Sequence, residues 1–231
     1  MLQGRRKITH KELKKDKLVT TYFQVRSWFD NPENRKKIGI AAGIVAVLVI
    51  FVFIYISNQK TKNEEAETKL SGVISLYQQG KYQEAINGDQ AAGITGLNEI
   101  VANYGGTKAG QTAKFFLANC QYSLKDYDNA LKNYEDYSGD NELVKASCIS
   151  GMAAVYEIKG DLKKSAEYYE KSVNVNKNLV INQENLFNAL RIYAQLNDKE
   201  SASRIYKQLK EEYPKSKYVN EAKRFEPVFK N

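Results

Sequence analysis

The sequence predicts an all-α chain: one N-terminal membrane-spanning helix, then an α-solenoid of about four helix-pair repeats closed by a capping helix. Three observations predict it. Ile38 to Ile56 is a run of nineteen residues without a charge. Beyond that run the chain is helix-patterned, with no sustained period-two alternation and with only Pro214 and Pro227 as breakers. Finally, three turn-plus-helix segments recur at intervals of 35 and 37 residues.

At a rise of ~1.5 Å per residue the apolar run is about 28 Å long, close to the ~30 Å hydrocarbon core of a bilayer. A helix satisfies its own backbone polar groups in lipid, and a buried core helix of this length would keep one polar face. Residues 1–37 hold eleven Lys/Arg against four acids, and Arg35-Lys36-Lys37 abuts the run. The positive-inside bias therefore places the N-terminus in the cytoplasm and the C-terminal domain across the membrane. A cleaved signal peptide fits poorly, because the run starts late, exceeds an h-region and is followed by Ser57-Asn58-Gln59 instead of a small-x-small site. The expected organisation is a basic cytoplasmic tail (1–37), a transmembrane helix (38–57), a linker (58–68) and a repeat domain (69–231). Residues 58–68 are also compatible with continued helix.

The whole chain carries a formal +8, of which the tail supplies 11 − 4 = +7, so residues 38–231 are almost neutral. The basic excess thus reads as topology and attraction to anionic lipid, and nucleic-acid binding by the domain has little support. Within the tail, Thr9 and Glu12 have capping-box spacing and predict a helix from near His10. Leu18, Tyr22, Val25 and Phe29 share one face of it, and Asn31-Pro32 ends it. Trp28, Phe29, Arg35, Lys36 and Lys37 are the expected membrane-interface residues.

The repeating segments are Leu124–Leu131, Lys159–Ala166 and Leu196–Ser203. Each is a turn with a central acid, followed four residues later by a small residue (Ala130, Ser165, Ala202) and, four further on, by a tyrosine (Tyr134, Tyr169, Tyr206). Small residues let paired helices approach, and the tyrosine fills the gap to the next unit, so no unit buries its face alone. A helix–turn–helix unit of about 34 residues with these features resembles the tetratricopeptide repeat (TPR). Pro214, twelve residues after Ala202, matches the repeat's closing proline. Tyr77–Ala85 is a fourth such turn, and the echo of Asn103–Lys108 in Glu212–Lys217 puts its small position at Gly93, eight residues late. An insertion of about eight residues near Asn87–Gly93 is expected, in four repeats over roughly 66–107, 110–143, 145–178 and 182–215. A helix from about Lys217 caps the stack.

The tail motif Thr9–Leu18, one anchor, then Asn87-Gly88-Asp89 and Tyr104-Gly105-Gly106-Thr107 within the repeats together resemble the YfgM-like TPR proteins. That resemblance spans nearly the full length. It implies a single-pass protein of the bacterial inner membrane with a periplasmic TPR domain. Its implied partners are translocon subunits, periplasmic chaperones or exported chains, as an ancillary factor of the Sec translocon. The alternative is an envelope-assembly coordinator that holds outer-membrane or peptidoglycan machinery through the solenoid alone.

No catalytic constellation is present. One histidine cannot build the usual triads or zinc sites, and the glycines form neither a P-loop nor a dinucleotide fingerprint. No cofactor, metal or small-molecule substrate is expected. Cys120 and Cys148 fall on parallel first helices with a seven-residue offset, about 10 Å along the axis and beyond the ~7 Å Cα limit of a disulfide. Two buried free thiols are expected. The expected partner-binding surface is the concave, first-helix face: Phe115, Asn119, Tyr122, Ser150, Glu157, Phe187 and Arg191. The carboxylate clamp of chaperone-binding TPRs is not matched, because Phe115 stands where a lysine belongs and Glu184 puts an acid where another belongs.

Overall fold

A computed structural model describes residues 17–229, in two compact units that divide between Asn58 and Gln59. Thr9, His10 and Glu12, with the capping box read on them, lie outside the described residues.

In the first unit, α1 spans Lys17–Asp30 and α2 begins at Pro32. Asn31 makes the break: it bends between the helices, and its Oδ1 accepts from the Glu33 amide at 2.9 Å. Pro32 then takes the first helical position, where its missing N–H costs nothing. Trp28 and Phe29 are about half exposed at the end of α1 and meet edge to face. Helix α2 runs Pro32–Gln78, and its apolar stretch is long and apolar enough to cross a membrane by length and composition, with none of that stretch buried. Residues 58–68, expected as a linker, are helical. They contain neither proline nor glycine, and Lys60–Glu64 and Asn63–Glu67 form i,i+4 pairs along them.

The second unit stacks helix pairs. The end of α2 pairs with α3 (Tyr82–Asn87) and α4 (Leu97–Tyr104). Helices α5 (Lys108–Ser123) and α6 (Tyr127–Glu135) form the second pair, and α7 (Glu142–Ile158) and α8 (Leu162–Val173) the third. Helices α9 (Asn182–Gln195) and α10 (Lys199–Glu212) form the fourth. A terminal segment, α11 (Lys217–Ala222), a 3-10 turn and α12 (Glu226–Phe229), packs on α9 and α10.

One device makes every intra-repeat turn. Gly80, Lys125, Gly160 and Asn197 adopt left-handed backbone angles immediately after the first helix. In each case the next residue's amide reaches back to a carbonyl five residues earlier, closing a Schellman motif. In the last three repeats that next residue is Asp126, Asp161 or Asp198, whose carboxylate caps the second helix. The acid at the centre of each repeated turn is therefore an N-cap. The small residues Ala130, Ser165 and Ala202 are wholly buried, and Tyr134, Tyr169 and Tyr206 nearly so.

The first repeat departs from this plan. Its second helix is cut by an antiparallel hairpin, β1 (Gly88–Asp89) against β2 (Ile94–Thr95), in the register Gly88↔Thr95 and Asp89↔Ile94. Gly93 stands in the hairpin turn with φ +68 and is exposed, so it is not the small packing position. Ala85 fills that role on α3, and Leu97 and Ile100 resume the core on α4. Gly96 closes the detour where a Cβ would strike the backbone of Ile86, Asn87 and Gly88.

Candidate functional site: the first-helix groove

First helices of successive repeats line an open groove of about 360 Å³. Tyr77 comes from α2, Asn119, Tyr122 and Ser123 from α5, Ser150, Gly151 and Ala154 from α7, and Glu184 and Asn188 from α9. Tyr134 and Tyr169 reach in from the second helices. Small residues on α7 keep the floor low. Gly151 is small because the Tyr134 ring lies on it: a Cβ there would stand 2.5 Å from the ring's Cζ.

Much of the polar lining is already engaged. Asn119 Oδ1 accepts from the Tyr134 hydroxyl at 2.6 Å. Ser150 Oγ donates to Asn185 Oδ1, Asn185 Nδ2 donates to Ser172 Oγ, and Ser172 Oγ donates to the Ala146 carbonyl, at 2.7, 2.8 and 2.7 Å. This buried chain ties the third repeat to the fourth. Arg191 grips Glu157 through two 2.8 Å bonds in the fork geometry that suits a carboxylate. The pair is one repeat apart, 34 residues, as are Arg204 and Glu170 on the second helices. Lys159 and Asp128 add a further inter-repeat pair.

The groove is consequently polar but nearly neutral. Burial raises the pKa of Tyr77, Tyr122, Tyr134 and Tyr169, so all four phenols stay protonated at physiological pH. Glu157 is answered by Arg191, and among the described residues no ion pair reaches Glu184, exposed on the rim.

Of the expected partner residues, Asn119, Tyr122 and Ser150 are brought together in the groove. Glu157 and Arg191 lie on the same helices but face each other. Phe115 is half-buried against Phe116 and Tyr134. Phe187 is a correction: it is 7% exposed, covered by Tyr218 at 5.3 Å and Phe225 at 6.2 Å. The capping segment that protects the last repeat has taken its ring. Sequence reasoning missed Tyr77, Ser123, Gly151, Ala154 and Asn188 as lining residues. The 34-residue spacing of Ala154 and Asn188, like that of Ser150 and Glu184, was the available signal. Cys120 and Cys148 are free and buried, and burial pushes both thiols up to about 12. Among the described residues no group of His, Cys, Asp and Glu could hold a metal ion.

Comparison with known proteins agrees with this architecture. Residues 150–179 and 188–216 each match the tetratricopeptide-repeat family. Two crystal structures of the nearly identical TPR-like repeats of a putative kinesin light chain from Podosopora anserina, one of them a single-substitution variant, superpose with TM-scores of 0.53. They are 12% and 13% identical, and each match covers 72% of this chain and 87% of the other. At that identity the likeness concerns the fold. The chain carries tetratricopeptide repeats, a class of fold that serves as a scaffold for protein–protein interaction.

Proposed function

We propose that this protein is a membrane-anchored TPR scaffold whose repeats hold protein partners on the periplasmic side of the bacterial inner membrane. Residues 38–57 span the bilayer, and residues 1–37 form a cytoplasmic tail with Trp28, Phe29, Arg35, Lys36 and Lys37 at the lipid interface. The observation that carries the reading is the first-helix groove. It takes lining residues from the first helices of four consecutive repeats and offers hydroxyl and amide groups on a floor of small residues, which suits an extended chain or a partner helix. The finer assignment, an ancillary factor of the Sec translocon and periplasmic chaperones, is supported by the resemblance of the tail, the anchor and the Tyr104–Thr107 motif to YfgM-like proteins.

Cross-linking in native membranes tests it, comparing the full chain with one whose residues 1–57 are replaced by an unrelated anchor. The expected result is capture of translocon subunits by the full chain and their loss in the swap. An unchanged profile of outer-membrane or peptidoglycan assembly proteins overturns the translocon assignment in favour of envelope coordination.

A further inference from the structure

The hairpin insertion leaves the second helix of the first repeat in two pieces, and these pieces form one wall of a separate cleft of about 740 Å³. Helices α3 and α4 supply that wall, α6 the opposite one, and α5 lies between them. Leu117 and Gln121 of α5 and its C-cap Leu124, which line this cleft, lie on the opposite side of the helix from Asn119, Tyr122 and Ser123, which face the groove. The two sites are thus distinct.

The cleft has an apolar floor and carboxamide walls. Ile86, Val101 and Leu117 make the floor. Gln83, Asn87 and Asn98 stand on one side and Gln121, Asn129 and Asn133 on the other. Asn133 donates to Gln121 at 2.8 Å and Asn129 to Asp126 at 2.8 Å. Among the described residues, the side chains of Gln83, Asn87 and Asn98 have no hydrogen bond, and all three are exposed. This wall differs from the first-helix groove, where the expected contacts largely satisfy one another.

We propose that this cleft binds an extended polypeptide segment through its main chain. A carboxamide offers one acceptor and two donors without charge, matching the N–H and C=O of a peptide group whatever the neighbouring side chain. In an extended segment alternate side chains point the same way, so one set enters the apolar floor while the main chain meets the walls. The volume falls in the ~300–1,000 Å³ range of ligand sites. Other ligand classes fit less well. A phosphate or nucleotide needs cations, and Lys132 is outnumbered by Asp126 and Asp136. A sugar needs an aromatic platform, and the lining holds no aromatic ring. The insertion is then a site-forming element: it divides the helix whose two pieces carry the three uncommitted amides.

The test uses the full chain in detergent micelles and two fluorescein-labelled decapeptides of alternating valine and threonine with a lysine at each end. One has an ordinary main chain, and the other is N-methylated at alternate residues. Binding is read by anisotropy. The ordinary peptide is expected to bind at least tenfold more tightly than the methylated one. The double variant Gln83→Met/Asn98→Leu keeps shape but removes hydrogen-bonding groups at two exposed positions, and it is expected to weaken binding at least tenfold. Ala102→Trp, which fills the cleft from an exposed position, is expected to abolish it, and Glu167→Ala, exposed on α8 and lining neither site, to leave it unchanged. The proposal is overturned if neither peptide binds, if both bind equally, if the cleft variants bind as the parent does, or if a groove variant, Tyr122→Ala, weakens binding while the cleft variants do not.

Discussion

Replacing Gly151 with alanine sets two effects of opposite sign against each other. In the middle of α7, alanine is favoured over glycine by about 1 kcal/mol of helix propensity. Against that, the new Cβ would stand 2.5, 2.7 and 2.8 Å from Cζ, Cε2 and Cε1 of Tyr134, where carbon atoms normally rest ~3.5–4.0 Å apart. The ring must withdraw by about 1 Å to reach that spacing. It is 4% exposed and pinned by its hydroxyl to Asn119, so it has little room. Overpacking costs about 1–3 kcal/mol and the strained hydrogen bond about 1 more. The net expectation is destabilisation by about 1–3 kcal/mol. Urea unfolding of the full chain in micelles, followed at 222 nm, measures it. In a Tyr134→Leu background the ring is gone, and the same substitution becomes neutral or stabilising. If Gly151→Ala stabilises the otherwise unchanged chain by about 1 kcal/mol, the propensity term alone operates, and the packing of Tyr134 between repeats is wrong.

Other outcomes follow from the same geometry. Lys125 holds a left-handed conformation that glycine takes freely, so Lys125→Gly is expected to stabilise by up to about 1 kcal/mol and Gly160→Ala to destabilise by about the same, both read by urea unfolding. Asn185→Leu removes the centre of the buried chain, strands the Ser150 hydroxyl and is expected to cost about 1–3 kcal/mol in the same assay. Cys120 and Cys148 are expected to resist a thiol reagent in the native state and to react on unfolding. Both thiols have folded values raised to about 12 from an ordinary 9.0. Their stabilising contribution is therefore complete below pH ~9 and declines as pH rises toward 12, by up to about 1.4 kcal/mol per pH unit for each thiol. Replacing both by alanine should flatten the fall of the unfolding midpoint across that window.

The repeat frame was legible because the devices that build it are local. A left-handed residue followed by a capping aspartate, then a small residue and a tyrosine at fixed offsets, leaves a mark in each of Leu124–Leu131, Lys159–Ala166 and Leu196–Ser203. The insertion was visible as an offset between two such marks, but its hairpin was not. Two strands of two residues each carry no alternation to read, and the glycine that seemed to hold a packing position makes a turn. Residues 58–68 were ambiguous because polar, charged sequence suits a linker and an exposed helix alike. The groove was half legible. Asn119, Tyr122 and Ser150 follow from repeat position alone, whereas the fate of Phe187 depended on the terminal segment covering it. The pairing of Glu157 with Arg191 was marked only by their separation of one repeat.

The central claim is that the first-helix groove of an anchored scaffold holds a protein partner, and one measurement tests it most directly. A photoreactive phenylalanine analogue replaces Tyr122 in the groove or, as control, Glu167 on the exposed side of α8, and native membranes are irradiated. The account predicts discrete protein adducts at position 122 that are absent at position 167. Adducts at 167 with none at 122 would contradict it, and the partner surface would then lie on the second helices.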